Sequence, residues 1–275
     1  MPIKTGMIYL EPQGGLANRL RAIANGIWLK RKLNTQLYVI WNEGHELNCP
    51  YHLLLEPITD FTIITKKRVF DFVTRTAQPD NKSRFKAKLK NLLARVDICI
   101  TDEDYPLVDV YETVRHHERI YIKTCQRFTD SIDEFKLFKP IPPLSFKINE
   151  LLGLLRPTAV GVQVRRTDNA MSITNSPLEL FTARMRELLA ADDTTRFFLA
   201  TDDINVELEL KLLFGDRIIS PPKDLSRQTI AGIQAAVVDL FVLAGTARIL
   251  GSYWSSFSEV AAWMGNIPLE VIKKD

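Results

Sequence analysis

The chain has 275 residues, 46% hydrophobic and 25% charged, close to the globular average, which excludes collagenous, low-complexity and disordered architectures. On a prior of about 150 residues per domain its length allows two domains or one large one. The net charge is only +3, with 23 basic and 18 acidic side chains in residues 1–150, and no long basic stripe interleaved with aromatics marks a nucleic-acid surface; an anionic small ligand or an anionic lipid fits that modest excess.

The first predicted element is a strand over Met7–Glu11, followed by a Gln13-Gly14-Gly15 turn, a helix over Leu16–Leu33 and a strand over Gln36–Trp41. Leu16, Leu20, Ile23, Ile27 and Trp28 keep helical spacing, and Lys30, Arg31 and Lys32 fall where the helix dipole favours cations. Asn18, Arg19 and Arg21 lie instead at the positive end of the same helix, a conflict that an anionic ligand would relieve, unless a carboxylate of the same domain or plain exposure accounts for them. The Gly-Gly turn matches neither G-x-G-x-x-G nor a P-loop.

Residues 65–135 carry weaker patterns. Lys82, Lys86 and Lys90 share a helical face with Arg84 and Lys88 nearby, while Phe85, Leu89, Leu92, Leu93 and Val96 form an apolar stripe. Over 82–96 that reads either as a solvated basic face over a domain core or as contact with a membrane surface. Asp102-Glu103-Asp104 has the D-x-D form of a metal-diphosphate motif, though an acidic surface turn explains it as well. His45, His52 and the His116-His117 pair lack the spacing of a zinc site.

Lys139-Pro140-Ile141-Pro142-Pro143 cannot continue a helix or a central strand, so the expected boundary separates domains 1–140 and 141–275. Beyond it, strands over 158–164, 196–201, 217–220, 248–252 and 267–272 alternate with helices near 177–190, 204–214, 227–244 and 256–264. This pattern predicts a doubly wound α/β sheet. Ser176, Pro177 and Glu179 read as a capping box opening the first of these helices.

Three segments place chemistry at the carboxyl edge of that sheet, where open α/β folds bind ligands. Arg165 and Arg166 follow an apolar strand and, unless one pairs with Asp168 and the other is solvated, their adjacent guanidiniums call for an anion such as a diphosphate. Asp202 and Asp203 end the next strand, either as helix caps or as acceptors for a nucleobase or ribose. Ser255, Ser256 and Phe257 open a helix whose N-terminal amides suit phosphate, unless the serines only cap it.

These motifs resemble the fucosyltransferase superfamily of bacterial nodulation α-1,6-fucosyltransferases, α-1,2-fucosyltransferases and protein O-fucosyltransferases. The likeness rests on Gly-Val-Gln-Val-Arg-Arg-Thr-Asp at 161–168, Leu-Ala-Thr-Asp-Asp at 199–203 and Ser-Ser-Phe-Ser at 255–258. Gly14-Gly15-Leu16-Ala17-Asn18-Arg19 is similar to the family's N-terminal glycine-asparagine loop. The resemblance implies a GT-B-like fold of two Rossmann-like domains facing a cleft, and inverting, metal-independent transfer from a GDP-sugar, fucose by family, to a glycan or lipid-linked glycan acceptor. Arg165 would then neutralise the departing diphosphate, Asp203 with Asp202 would address guanine or ribose, Ser255 and Ser256 would bind phosphate, and Asn18 and Arg19 would close the site. Gln163 stands where the family usually has histidine, and Ile173 where the α-1,6 branch has glutamate. The acceptor's proton therefore needs another base, for which Glu11 and Glu43, after the first two strands, are the candidates.

Cys49, Cys99 and Cys125 contain no C-x-x-C pair and fit a reducing compartment. No apolar run reaches the roughly 20 residues of a membrane span. The expected setting is cytoplasmic, peripheral to the inner face of the membrane if 82–96 binds lipid.

Overall fold

A computed structural model describes residues 6–77, 80–105, 107–167 and 169–274. The chain divides into two compact units, one running to Tyr51 and including Glu56–Phe138, the other made of His52–Leu55 and Lys139 onward. The segment His52–Leu55 joins the second unit because Leu55 forms a β-bridge with Pro140 and the Leu54 carbonyl accepts from the Ile141 N–H at 3.2 Å.

The first unit holds β1 (Met7–Pro12), α1 (Leu16–Leu33), β2 (Gln36–Ile40), β3 (Thr62–Ile64), α2 (Asn81–Leu93), β4 (Ile98–Thr101), α3 (Val110–Val114) and β5 (Arg119–Thr124). All its strands are parallel in the order β3-β2-β1-β5-β4, so the chain steps outward from β1 to β3, crosses to the far edge at β4 and steps back to β5 beside β1. β5, in the stretch that sequence patterns leave obscure, alternates too weakly to stand out because a strand covered on both faces needs no polar side. Val96 joins the buried cluster of Ile40, Phe70, Cys99 and Tyr121, but Phe85, Leu89, Leu92 and Leu93 do not; they face outward.

The second unit contains α4 (Pro142–Leu154), β6 (Val160–Val164), α5 (Ala170–Asn175), α6 (Leu178–Ala191), β7 (Phe197–Thr201), α7 (Ile204–Phe214), β8 (Ile218–Ile219), α8 (Ile230–Ala244), β9 (Arg248–Ser252), α9 (Ser256–Gly265) and β10 (Leu269–Ile272). Its parallel order, β10-β9-β6-β7-β8, is that of a Rossmann sheet of five strands. Val162, Phe181, Met185, Phe197, Leu199 and Leu210 are central to its core.

The proline-rich stretch continues no helix, but Pro142 and Pro143 open α4, since the first helical turn has no intrahelical partner for the missing N–H groups. One local expectation needs correction. Ser176 does not cap α6, whose N-cap is Pro177. The Ser176 hydroxyl instead donates to the Ile272 carbonyl at 2.5 Å and accepts the Tyr253 N–H at 2.8 Å. A buried hydroxyl that can tie two neighbouring segments of the sheet edge gains more there than at an exposed helix start.

Candidate functional site

In the second unit the strand order reverses between β6 and β9, and the loops leaving these two strands are joined there. The Arg165 N–H donates to the Ser252 hydroxyl at 2.9 Å, and that hydroxyl donates to the Gln163 carbonyl at 3.3 Å. From the end of β7, Asp202 accepts the Arg166 N–H at 2.8 Å and the Thr167 hydroxyl at 2.8 Å. Its second oxygen lies 3.2 Å from Arg165 Nε and 3.7 Å from Arg227 Nη2. One carboxylate thus faces two guanidiniums where an open α/β sheet takes its ligands.

Arg166 is differently employed. Its guanidinium donates to the Arg165 carbonyl at 2.9 Å and the Ser176 carbonyl at 2.8 Å, and burial holds its pKa below the usual arginine value, partly offset by Asp202. Arg165 thus lies at Asp202 while Arg166 fastens the loop. Asp168 lies outside the described residues. Asp203 caps α7, its carboxylate accepting the Asn205 N–H at 2.8 Å. Asp202 is consequently the one of the two carboxylates that faces the arginines.

At the neighbouring loop, Asn169 donates to the Trp254 carbonyl and Ser172 to the Tyr253 carbonyl, at 2.9 and 2.6 Å. These bonds hold the turn that leads into α9, where Ser255 is the buried N-cap residue without a side-chain capping bond and Ser256 and Phe257 begin the helix half-buried. Gln163, only 4% exposed on β6, has an Oε1 with no hydrogen-bond partner among the described residues. A buried acceptor left unpaired costs about 1–3 kcal/mol, so such a group in a stable protein calls for an unseen donor.

The first unit spends its polar groups differently. Gly14 adopts φ +81°, and a Cβ there would meet Asn18 Nδ2 at 2.6 Å, so both the turn and the close approach require glycine. Gly15 is the N-cap of α1. Arg19 is buried, donates to the Gly14 and Asn42 carbonyls at 2.8 and 2.5 Å and stacks over Trp41. Its pKa is lowered by burial, with Glu46 opposing. Arg21 donates to the Cys125 carbonyl and to Asn18 Oδ1. At this helix start the guanidiniums meet backbone carbonyls, with Glu46 nearby, so a carboxylate of the same unit supplies negative charge there.

Glu11 and Glu43 line one cleft of about 170 Å³ with Gln13, Arg19, His45 and Glu46. Glu11 is buried and accepts from the Tyr121 hydroxyl, from Asn42 at 3.1 Å and from Lys66, whose Nζ is 3.2 Å away. Burial, together with the Glu11 carboxylate, pushes the Tyr121 phenol far above its usual range. Glu43 is exposed on the rim.

The D-x-D segment is not a simple surface turn. Asp104 is buried and pairs with Arg75 at 2.5 Å while accepting the Thr101 N–H at 2.9 Å. Asp102 accepts from the Thr124 hydroxyl and the Cys125 N–H. Asp102 thus ties the end of β4 to the end of β5, and Asp104 closes the turn that leaves β4. Among the described residues no group of three or more His, Cys, Asp and Glu is arranged to hold a metal ion.

Sequence reasoning missed Arg227, Lys223 and Asp239, all outside recognisable motifs. Lys223 and Asp239 form a buried ion pair at 2.6 Å that anchors the segment carrying Arg227 to α8. The only available signal was Asp239 interrupting an apolar helix.

The two sheets, each parallel and flanked by helices, define a GT-B-like α/β fold. The fold is that of known fucosyltransferases. The NodZ α-1,6-fucosyltransferase of Bradyrhizobium, in a structure soaked with GDP-fucose, is similar over 95% of this chain and 93% of its own at 18% identity and a TM-score of 0.63. FUT1 of Arabidopsis thaliana, in complex with GDP, is similar over 96% of this chain and 70% of its own at 15% identity and a TM-score of 0.64. POFUT1 in complex with GDP shares 11% identity over 98% of each chain, with a TM-score of 0.60. No protein-family model matches the chain, and no characterised protein matches it by sequence.

Proposed function

We propose that the protein is an inverting glycosyltransferase that moves a sugar, fucose first among candidates, from a GDP-sugar to a glycan or lipid-linked glycan acceptor without a metal ion. One observation carries the reading: Arg165 and Arg227 converge on the carboxylate of Asp202 at the point where the second sheet reverses direction. The named fucosyltransferases with this fold were studied with GDP or GDP-fucose, which supports a guanosine diphosphate as the anion. The unpaired acceptor of Gln163 and the N-terminal amides of α9, beside Ser255 and Ser256, support it further.

In the reaction the acceptor oxygen bonds to the anomeric carbon as the bond from that carbon to the β-phosphate oxygen breaks, and GDP departs with the electron pair. Negative charge grows on the leaving diphosphate. Fixed guanidiniums aimed at it lower the barrier because they bind that charge more strongly in the transition state than in the ground state. The acceptor's proton must pass to a base. Ile173, exposed on α5, cannot take it. Glu11 has its oxygens occupied by Tyr121, Asn42 and Lys66, which favours the exposed Glu43.

Transfer from another nucleotide sugar through a metal held by Asp102 and Asp104 is disfavoured because both carboxylates already serve hydrogen bonds and an ion pair. A nucleotide-binding module without turnover is the second reading, and Ile173 is the observation that favours it. Three free cysteines accord with work in the reducing cytoplasm.

Thermal shifts with GDP, UDP, ADP and CMP, with and without Mg²⁺, test the donor. GDP at 100 times its dissociation constant should stabilise the fold by about 2.7 kcal/mol. GDP-fucose consumption in EDTA with a panel of glycans then separates enzyme from binder. A preference for UDP, or turnover abolished by EDTA, overturns the reading.

A further inference from the structure

Helix α2 rests on its unit through Ala87 and Asn91, the residues it buries, with Ala94 continuing that face. Successive residues turn by about 100°, so Phe85, Leu89, Leu92 and Leu93 project on the opposite side. They are 70%, 51%, 65% and 71% exposed. By the same geometry Lys86 and Lys90 flank this apolar stripe on one side and Lys88 and Arg84 on the other, all of them exposed. No acidic residue occurs between 81 and 96. The neighbouring 3-10 turn, Arg68–Phe72, adds the exposed ring of Phe72.

A helix that faced its own core would turn these large side chains inward. Here the small residues face inward and the large ones outward, the arrangement of a helix lying in a lipid interface, with long basic side chains reaching back toward the headgroups. We propose that α2 docks on the surface of an anionic lipid bilayer, its apolar stripe entering the boundary between headgroups and acyl chains. Charge complementarity selects this occupant: four cations bracket the stripe, and a second copy of the same face would bring like charges together. No described helix is long and apolar enough to cross a membrane, so this contact is peripheral. The inference does not depend on the proposed transferase activity and is tested without it.

The test is co-sedimentation with vesicles of phosphatidylcholine alone or containing about one-third phosphatidylglycerol, at low and high salt. The protein is expected to bind anionic vesicles about tenfold or more above neutral ones, with binding that falls as salt rises. A Phe85→Ser, Leu89→Ser, Leu92→Ser variant is expected to lose about tenfold or more of that binding while keeping its circular dichroism and Tm, because its altered residues are exposed. Lys86→Glu with Lys90→Glu should lose binding to anionic vesicles alone. No vesicle binding, equal binding to both compositions, or undiminished binding by the triple variant overturns the proposal. So does concentration-dependent dimerisation in light scattering that the triple variant abolishes, since the face would then belong to a second copy.

Discussion

Asp202 Oδ1 accepts the backbone N–H of Arg166 at 2.8 Å, so a side chain at the end of β7 fixes the loop that leaves β6. The same carboxylate, through its other oxygen, lies 3.2 Å from Arg165 Nε, while the Ser252 hydroxyl accepts the Arg165 N–H. Arg165→Ala should lower turnover about 10²–10³-fold, the loss typical of one transition-state donor. Lys82→Ala, on helix α2 of the other unit, should leave GDP affinity unchanged in calorimetry. Equal GDP affinity and turnover in Arg165→Ala and the native protein would remove Arg165 from the site.

Arg227 stands 3.7 Å from the same carboxylate and is a third exposed, so its attraction to an anion is more screened than that of Arg165. Arg227→Ala is expected to weaken GDP binding about tenfold, or about 1.4 kcal/mol, and Arg227→Lys to restore part of it. Titration calorimetry at two salt concentrations checks this: the loss should shrink as salt rises.

Lys223 and Asp239 are each less than a tenth exposed and pair at 2.6 Å. Removing one partner strands a buried charge, so Lys223→Met should cost about 3–5 kcal/mol in urea unfolding. Lys223→Met combined with Asp239→Leu should recover most of that, because two apolar side chains need no desolvated partner. Failure of the double variant to recover would mean that the pair does more than neutralise itself.

Asp60 accepts from Arg31 and Lys30, and the Arg31 hydrogen bond is the main cause holding its carboxyl below the usual value of 3.8. A carboxyl with a depressed folded-state pKa stabilises the fold above the unfolded value, and that contribution disappears as pH falls through the folded pKa. Acid unfolding below about pH 4 should therefore be less steep in Asp60→Asn, which gives up on the order of 1 kcal/mol at neutral pH. Denaturation curves between pH 2 and 7 measure it.

Glu11→Gln and Glu43→Gln should part company. The first disturbs a buried network with Tyr121, Asn42 and Lys66 and is expected to lower Tm. The second should leave Tm unchanged and reduce kcat tenfold or more, the order of a lost general base, without affecting GDP affinity. Full turnover by Glu43→Gln with a competent acceptor assigns the proton to another group.

The sequence by itself determined the elements whose cause is local. Leu16–Leu33 is helical over the span that its apolar spacing and terminal cations predict, and β9 runs over the predicted 248–252. Alternating strands and helices in the second half were legible because βαβ units repeat one simple pattern, and Arg165 and Asp202 were legible as residues at strand ends. Only the tertiary structure decided what those residues face. It turned Arg166 and Arg19 onto carbonyls, buried Asp104 against Arg75, and brought Arg227 to Asp202 from a segment 25 residues away in sequence. It also decided that the stripe of α2 faces outward. The physical reason is common to all: periodicity fixes which side chains share a face, but which face is buried, and which carbonyl or carboxylate meets a given guanidinium, depends on residues distant in sequence.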